Sequence, residues 1–378
     1  MVVVGAGIVG LACGWRCAQR GLSVLVVERD LAGAGSSGVA AGMLAPVTEA
    51  EFGEEALLGL NLAGAALWPD FHGELAASSG VDVGYRESGA LIVAADRDDG
   101  EELRRLHAFQ VSLGLEVGWL TGRECRRLEP GLSPRVAGGI HARQDHQVDP
   151  AAAVRALAHA LRAAGGKLEE GVGDVELELD ADAVVGVRSE RLGSVRADHV
   201  VVAAGAWSAL LAGLPEESRP PVRPVKGQIL SLRGAPGAPP VAERLVRTPR
   251  CYVVPRGDGS VTIGATMEER GFETRVTGEG VHRLLEAAWE VLPDVGELEF
   301  VEARARLRPG TPDNSPLIGP AALDGLVWAT GHHRNGVLLA PITAEAVAAI
   351  VSGDEPSDTV AAFAPDRFTR RPLAEPAR

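Results

Sequence analysis

Val2-Val3-Val4-Gly5-Ala6-Gly7-Ile8-Val9-Gly10, a helix-like run to Gly21, and then Leu22-Ser23-Val24-Leu25-Val26-Val27-Glu28 decide the fold. A short apolar strand, a G-x-G-x-x-G turn, a helix, a second apolar strand and an acidic tip are the parts of a first βαβ unit of a dinucleotide-binding fold. Gly5 permits the tight turn, Gly7 lets the backbone approach a pyrophosphate, and Gly10 lets helix and strand pack closely. The diphosphate would sit on the unpaired N–H groups at the positive end of the helix, where Ile8 and Val9 lie. Glu28 stands where a ribose hydroxyl pair would need an acceptor. Arg29 would suit a 2′-phosphate, but the neighbouring carboxylate of Glu28 repels one.

Composition bounds what can surround that unit. A chain of 378 residues is too long for one core and calls for about two domains. Hydrophobic residues at 46% and charged residues at 23% are ordinary for a globular protein. A formal charge of −14 argues against a nucleic-acid partner, which would demand a basic footprint. Cys13, Cys17, Cys125 and Cys251 show no metal-ligand spacing, and Cys13 and Cys17 one turn apart read as buried thiols. No basic leader and no long uncharged apolar run are present, so a cytoplasmic protein without a membrane partner is expected. The first strand reads as clipped at its start.

Downstream, the small residues of 32–42 would let backbone lie against a cofactor, or serve as a flexible connector. Helices are expected over 56–78, 101–113, 151–164 (capped by Asp149-Pro150), 278–291 and 342–351. Strands are expected over 90–94, 167–175, 183–189, 194–197, 199–208, 228–232, 251–255, 260–266, 299–305 and 326–329, with a return segment over 139–148. The fold class is therefore α/β: a Rossmann-like nucleotide domain with a second α+β substrate domain on an antiparallel sheet. The expected division is discontinuous, with residues 1–80, 146–218 and 312–368 in the first domain and 81–145 and 219–311 in the second. Residues 369–378 form a tail, expected to be poorly ordered at its end.

Several further motifs join the nucleotide unit: Ala40-Ala41-Gly42-Met43-Leu44, Val202-Ala203-Ala204-Gly205-Ala206-Trp207-Ser208, and Pro224-Val225-Lys226-Gly227. Arg308-Pro309-Gly310-Thr311-Pro312-Asp313 and Gly331-His332-His333-Arg334-Asn335-Gly336 complete the set. With these the chain resembles the D-amino acid oxidase family of FAD enzymes, and within it the thiamine-pathway glycine oxidases.

The resemblance implies non-covalent FAD held by Ile8, Val9, Glu28, Arg29, Ser36, Ser37, Ala41, Gly42, Met43 and Val175, with Gly205 beside it. The run His332, His333, Arg334, Asn335, Gly336, Val337 and Leu338 would face the flavin, opening the last helix so that its N-terminus meets developing negative charge. Arg308 matches the substrate-carboxylate anchor, Tyr252 a hydrogen-bond donor to the same group, Met267 an apolar wall, and Arg334 a neighbour of the substrate amine. Read without the family, Arg308 also fits a solvated surface charge and Tyr252 a core tyrosine. Glu49 falls in a candidate lid loop. His333 stands where an aromatic residue is expected, and Arg250 adds a charge near Tyr252.

The implied reaction passes hydride from the amino acid Cα to flavin N5, hydrolyses the imine to a 2-oxo acid and ammonia, and returns electrons to oxygen as hydrogen peroxide. Glycine, sarcosine and small D-amino acids are the implied substrates, and assembly into a homo-oligomer is compatible with it. No Ser-His-Asp or Cys-His pattern offers acyl chemistry, and the adjacent histidines lack a third ligand nearby, so no metal is expected. A dehydrogenase passing electrons to a carrier, or a non-enzymatic FAD scaffold, remains open on sequence.

Overall fold

The three opening valines form the strand Val2–Val4, buried along its whole length. In the computed structural model, which describes residues 1–368, this strand pairs in parallel with Leu25–Val27 on one side and Val200–Val202 on the other. The six-stranded sheet runs Leu317–Pro320, Leu326–Thr330, Val200–Val202, Val2–Val4, Leu25–Val27, Lys167–Glu169. Only the pairing of the first two is antiparallel. The expected tail at 369–378 lies outside the described residues.

Alternation along these strands decides what covers each face. Val3, Val26, Val201 and Val327 point into one core with the helices Ile8–Gln19, Glu55–Ser79, Pro150–Ala163 and Ala340–Val351. Val2, Val4, Val27, Val200 and Val202 point into another, closed by a three-stranded antiparallel sheet through Val175, Leu177, Val184 and Val187. Helices on one side explain why the strands are apolar throughout. Trp15 meets Phe71 edge-on at 5.4 Å, and Trp68 donates its indole N–H to Leu338 O at 3.1 Å. Pro150 opens its helix as the sequence suggests, with Asp149 Oδ1 accepting from the N–H groups of Ala151 and Ala152.

The second sheet has eight strands in the order Glu299–Gly310, Arg223–Arg233, Ser260–Gly264, Tyr252–Pro255, Leu245–Arg247, Ala90–Val93, Gly138–Ala142, Val117–Thr121. All its pairings are antiparallel except Leu245–Arg247 with Ala90–Val93. Helix Gly278–Val291 buries Leu284, Ala287, Ala288 and Val291 against it, and Thr277 caps the helix by accepting from Gly280 N–H. This is the α+β part that the sequence anticipates.

Four expectations need correction. The apolar run expected as a strand over 199–208 ends at Val202, and Gly205–Leu210 is a 3-10 helix. The strand expected over 167–175 breaks into Lys167–Glu169 and Val175–Asp180, because Gly171 and Gly173 adopt positive φ between them. Strand Val117–Thr121 and helix Gly122–Leu128 were not anticipated; the helix is set by a capping box between Thr121 and Glu124. The helix expected over 342–351 starts at Ala340, so the Gly331–Gly336 motif is a turn ahead of it rather than its first turn.

The glycine motif is held by backbone contact. A Cβ at Gly10 would stand 2.0 Å from Gly5 O, and one at Gly5 would stand 2.5 Å from Ala203 O. Gly10→Ala is expected to cost about 3 kcal/mol or more, since backbone cannot yield as a side chain can. Gly59, exposed in a helix with nothing near its missing Cβ, is the control: Gly59→Ala should stabilise by about 0.5–1 kcal/mol. Urea unfolding of both variants measures the contrast, and equal effects would show that the turn is not sterically locked.

Candidate active site

A cavity of about 1020 Å³ opens along the carboxyl ends of the parallel strands and is walled on its far side by the second sheet. That is at the upper end of single-ligand sites. At one end lie Gly5, Gly7, Ile8, Val9, Glu28 and Arg29; in the middle Ser36, Ser37, Ala41, Gly42, Met43, Val175 and Gly205. At the other end lie Glu49, Arg247, Arg250, Tyr252, Met267, Arg308 and the turn His332, His333, Arg334, Gly336 and Val337. Asn335 and Leu338 do not line it. Asn335 pairs through its backbone with His332 and Leu339, and Leu338 O is taken by Trp68. Gly10 also stays outside, packed on Gly5.

The nucleotide end has the features a dinucleotide requires. Space over Gly7 is open, a Cβ there meeting only Ser37 Oγ at 3.2 Å. Ser37 Oγ accepts from Ile8 N–H at 2.9 Å, fixing the first helical turn. Glu28 Oε2 accepts from Ala6 N–H at 2.7 Å and Oε1 from Asp30 N–H at 3.0 Å. Each carboxylate oxygen retains a lone pair for a hydroxyl. Arg29 lies over Trp207 at 4.9 Å and pairs with Asp30 at 3.1 Å.

At the other end, two glycines make room for two side chains on neighbouring strands. The Arg308 guanidinium lies against Gly227, where a Cβ would stand 2.3 Å from it. The Tyr252 ring lies against Gly264, where a Cβ would stand 2.4 Å from the hydroxyl. Arg308 donates to Thr266 O at 3.1 Å and has no carboxylate partner among the described residues. Burial raises the Tyr252 hydroxyl above its usual range, and the charge of Arg308 opposes that shift.

Most of the remaining arginines are answered by acids. Arg334 Nη1 is 2.7 Å from Glu51, Nη2 3.0 Å from Glu54, and Nε 3.6 Å from Glu49. Its guanidinium therefore faces the 45–54 loop. Arg247 is 3.5 Å from Glu49 and donates to Thr48 O. Arg250 pairs with Glu290 of helix Gly278–Val291, so its charge is drawn away from the cavity. Arg306 has no ion pair among the described residues and donates to Ala34 O at 2.9 Å. Met267 is at the rim, 63% exposed.

Arg247 and the acid cluster were not legible as site residues beyond the bare position of Glu49; their partners lie far off in sequence. His332 bonds Thr343 Oγ1 at 3.0 Å, and burial holds its ring down to about 3. His333 takes a positive φ of 47°, donates its N–H to Pro309 O, and is likewise held at about 3, by burial first and then by Arg334, Arg308 and Arg223. No group of three metal-ligating side chains occurs among the described residues. All four cysteines are buried and free, and burial raises Cys17 to about 12 and Cys125 and Cys251 to about 11. No described helix is long and apolar enough to cross a membrane.

Residues 1–350 match the family model described as "DAO: FAD dependent oxidoreductase". A protein named bifunctional protein ThiO/ThiG from Synechocystis is 34% identical over 372 residues, 97% of this chain and 54% of that protein. The chain thus spans about half the length of the bifunctional relatives it matches. A glycine oxidase from Geobacillus kaustophilus is 34% identical over 366 residues, 96% of this chain and 95% of the other. The crystal structure of glycine oxidase from that organism superposes with a TM-score of 0.88, covering 97% of this chain and 98% of the other. The open glycine turn, the serines, Glu28 and the small-residue walls fit FAD in size and polarity.

Two buried histidines make the fold sensitive to acid. The unfolded chain takes protons on them below about pH 6.5, while the folded chain does not until about 3. Stability is therefore full above 6.5 and falls as pH drops, by up to about 1.4 kcal/mol per unit for each histidine. Asp145, raised to about 6 by burial, returns part of this as it takes up a proton in the folded state. Urea unfolding between pH 7.5 and 5 should show a net loss. His333→Asn, which tolerates the positive φ and does not titrate, should flatten the slope by one histidine's share; an unchanged slope would contradict the assignment.

Proposed function

The chain belongs to the DAO family of FAD dependent oxidoreductases, and from that premise we propose that it oxidises the Cα–N bond of a small amino acid. Glycine is the principal substrate, with sarcosine and small D-amino acids accepted beside it. The balance is glycine, oxygen and water to glyoxylate, ammonia and hydrogen peroxide. The observation that carries this reading is Arg308: a guanidinium in the cavity wall with no carboxylate partner among the described residues, and the Tyr252 hydroxyl beside it. FAD, when bound, supplies the two-electron acceptor that no side chain here provides.

The protein's own part is binding and orientation. Arg308 offers a planar fork to both carboxylate oxygens, and Tyr252 donates a hydroxyl to one of them. Tyr252 stays protonated at neutral pH because burial raises it, so the donor persists. Met43 and Met267 bound the space for a side chain and can deform around a methyl group. The likeness to proteins named ThiO/ThiG and glycine oxidase supports glycine as substrate and glyoxylate imine chemistry feeding thiamine thiazole synthesis. We place the enzyme in the cytoplasm.

Arg308→Ala should lower kcat/KM for glycine by about a hundredfold or more, and Arg308→Lys should recover only part, because a point charge lacks the fork. Anaerobic mixing with glycine reads flavin bleaching directly, and peroxide release follows with air. Near-normal efficiency in Arg308→Ala would move the anchor to another arginine. In the same assay a panel of paired enantiomers should favour D over L throughout. Discrimination of glycine from D-alanine should be modest, since one methylene is worth about 1–3 kcal/mol. Bleaching without oxygen uptake would indicate a dehydrogenase.

A further inference from the structure

Residues 45–54 link strand Met43–Leu44 to helix Glu55–Ser79 and form turns with no strand or helix of their own. Yet this loop brings Glu49, only 9% exposed, to the cavity wall between Arg247 and Arg334. Something must fix the loop there. Asp145, 0% exposed, sits in the turn between Gly138–Ala142 and His146–Gln147. Its Oδ1 accepts from Val47 N–H at 3.0 Å and its Oδ2 from Thr48 N–H at 2.8 Å. Gln110, also fully buried, donates from Nε2 to Val47 O at 2.9 Å, and Arg247 donates to Thr48 O. One residue's backbone N–H and C=O and the next residue's N–H and C=O are thus all taken by side chains from three other elements.

Asp145 itself does not line the cavity. We propose that Asp145 is a positioning residue: its carboxylate fixes the Val47–Thr48 backbone, so that Glu49 holds Arg334 and Arg247 in place and the small amino acid binds well. The proposal rests on reading the cavity as an amino-acid site. A carboxylate is the group that fits, because it accepts at both oxygens. Asn presents an NH₂ where one of the two N–H donors points, so Asp145→Asn must lose one bond. Such a loss at a purely structural site would show in stability alone. Here the buried charge already weighs against the folded state above about pH 6, so the variant should keep its melting temperature near that of the native protein.

The test uses the full chain with FAD, as Asp145→Asn and, from the other side of the loop, Gln110→Ala. A glutamate-specific protease, with cuts mapped by mass spectrometry at 49, 51 and 54, reads the loop without any substrate. Anaerobic flavin reduction against glycine concentration gives the half-saturating concentration and the limiting rate, and titration of apoprotein gives FAD affinity. Both variants should be cut about tenfold faster in the loop, and half-saturation should rise by about tenfold, the change of one lost hydrogen bond to a charged group. Limiting rate and FAD affinity should stay within about twofold of native.

Unchanged cutting overturns the proposal, and so does faster cutting with an unchanged half-saturating concentration. A fall in limiting rate alone also overturns it. If the native protein is not bleached by glycine or by any D-amino acid, the substrate reading fails. The loop anchor is then decided by cutting alone: faster in Asp145→Asn supports it, and unchanged defeats it.

Discussion

Backbone packs directly on backbone where Gly10 rides on Gly5 and Gly5 on Ala203. No side chain can be placed in either gap, so helix Ile8–Gln19 is seated on the strand ends at a fixed height. That height brings the first-turn N–H groups to the cavity wall and lets Val3, Val26 and Val201 meet the helix in one core. Ser37 and Glu28 then tie Ile8 and Ala6 into the same turn. An anion-binding site follows from geometry that packing already requires, since the unpaired donors and the positive helix end point outward together.

At the opposite end, charge rather than sterics organises the site. Six arginines line the cavity, and in a partly desolvated wall that many cations would repel one another. The structure answers most of them: Asp30 for Arg29, Glu290 for Arg250, and Glu49, Glu51 and Glu54 for Arg334 and Arg247. Arg306 spends its donors on backbone carbonyls. Arg308 is left with one backbone acceptor and an open face. Among the described residues Arg306 and Arg308 are thus the cavity arginines without an acidic partner, and Arg306 is already held by two carbonyls.

Local signals made the first half of this legible. The strand, turn, helix and acid of 2–28 are contiguous, and their steric demands are written in glycines and valines. Arg308 and Tyr252 were recognisable only through the family pattern, because nothing in an Arg-Pro-Gly triplet shows that Gly227 clears its place from a strand paired two residues out of line. The loop anchors were beyond reading. Asp145 meets Thr48 across 97 residues and Arg247 meets it across 199, and neither carries a periodicity or motif. The run at 199–208 misled for a related reason: alanine, glycine and tryptophan after Val202 continue an apolar pattern, but Gly205 takes φ 55° and turns the chain into a 3-10 helix.

The neutral histidines complete the electrostatic argument. His333 packs where three arginines act on it, and a proton there would add a further cation to a wall already rich in them. Burial removes that option by holding both rings down to about 3. On the alkaline side, Tyr252 is raised above its usual range and Cys251 to about 11. None of these groups changes charge near neutrality, so Arg308 presents the same field to a carboxylate across that span. For the amino acid proposed above as substrate, this would leave its own ammonium as the group whose proton loss matters near neutrality.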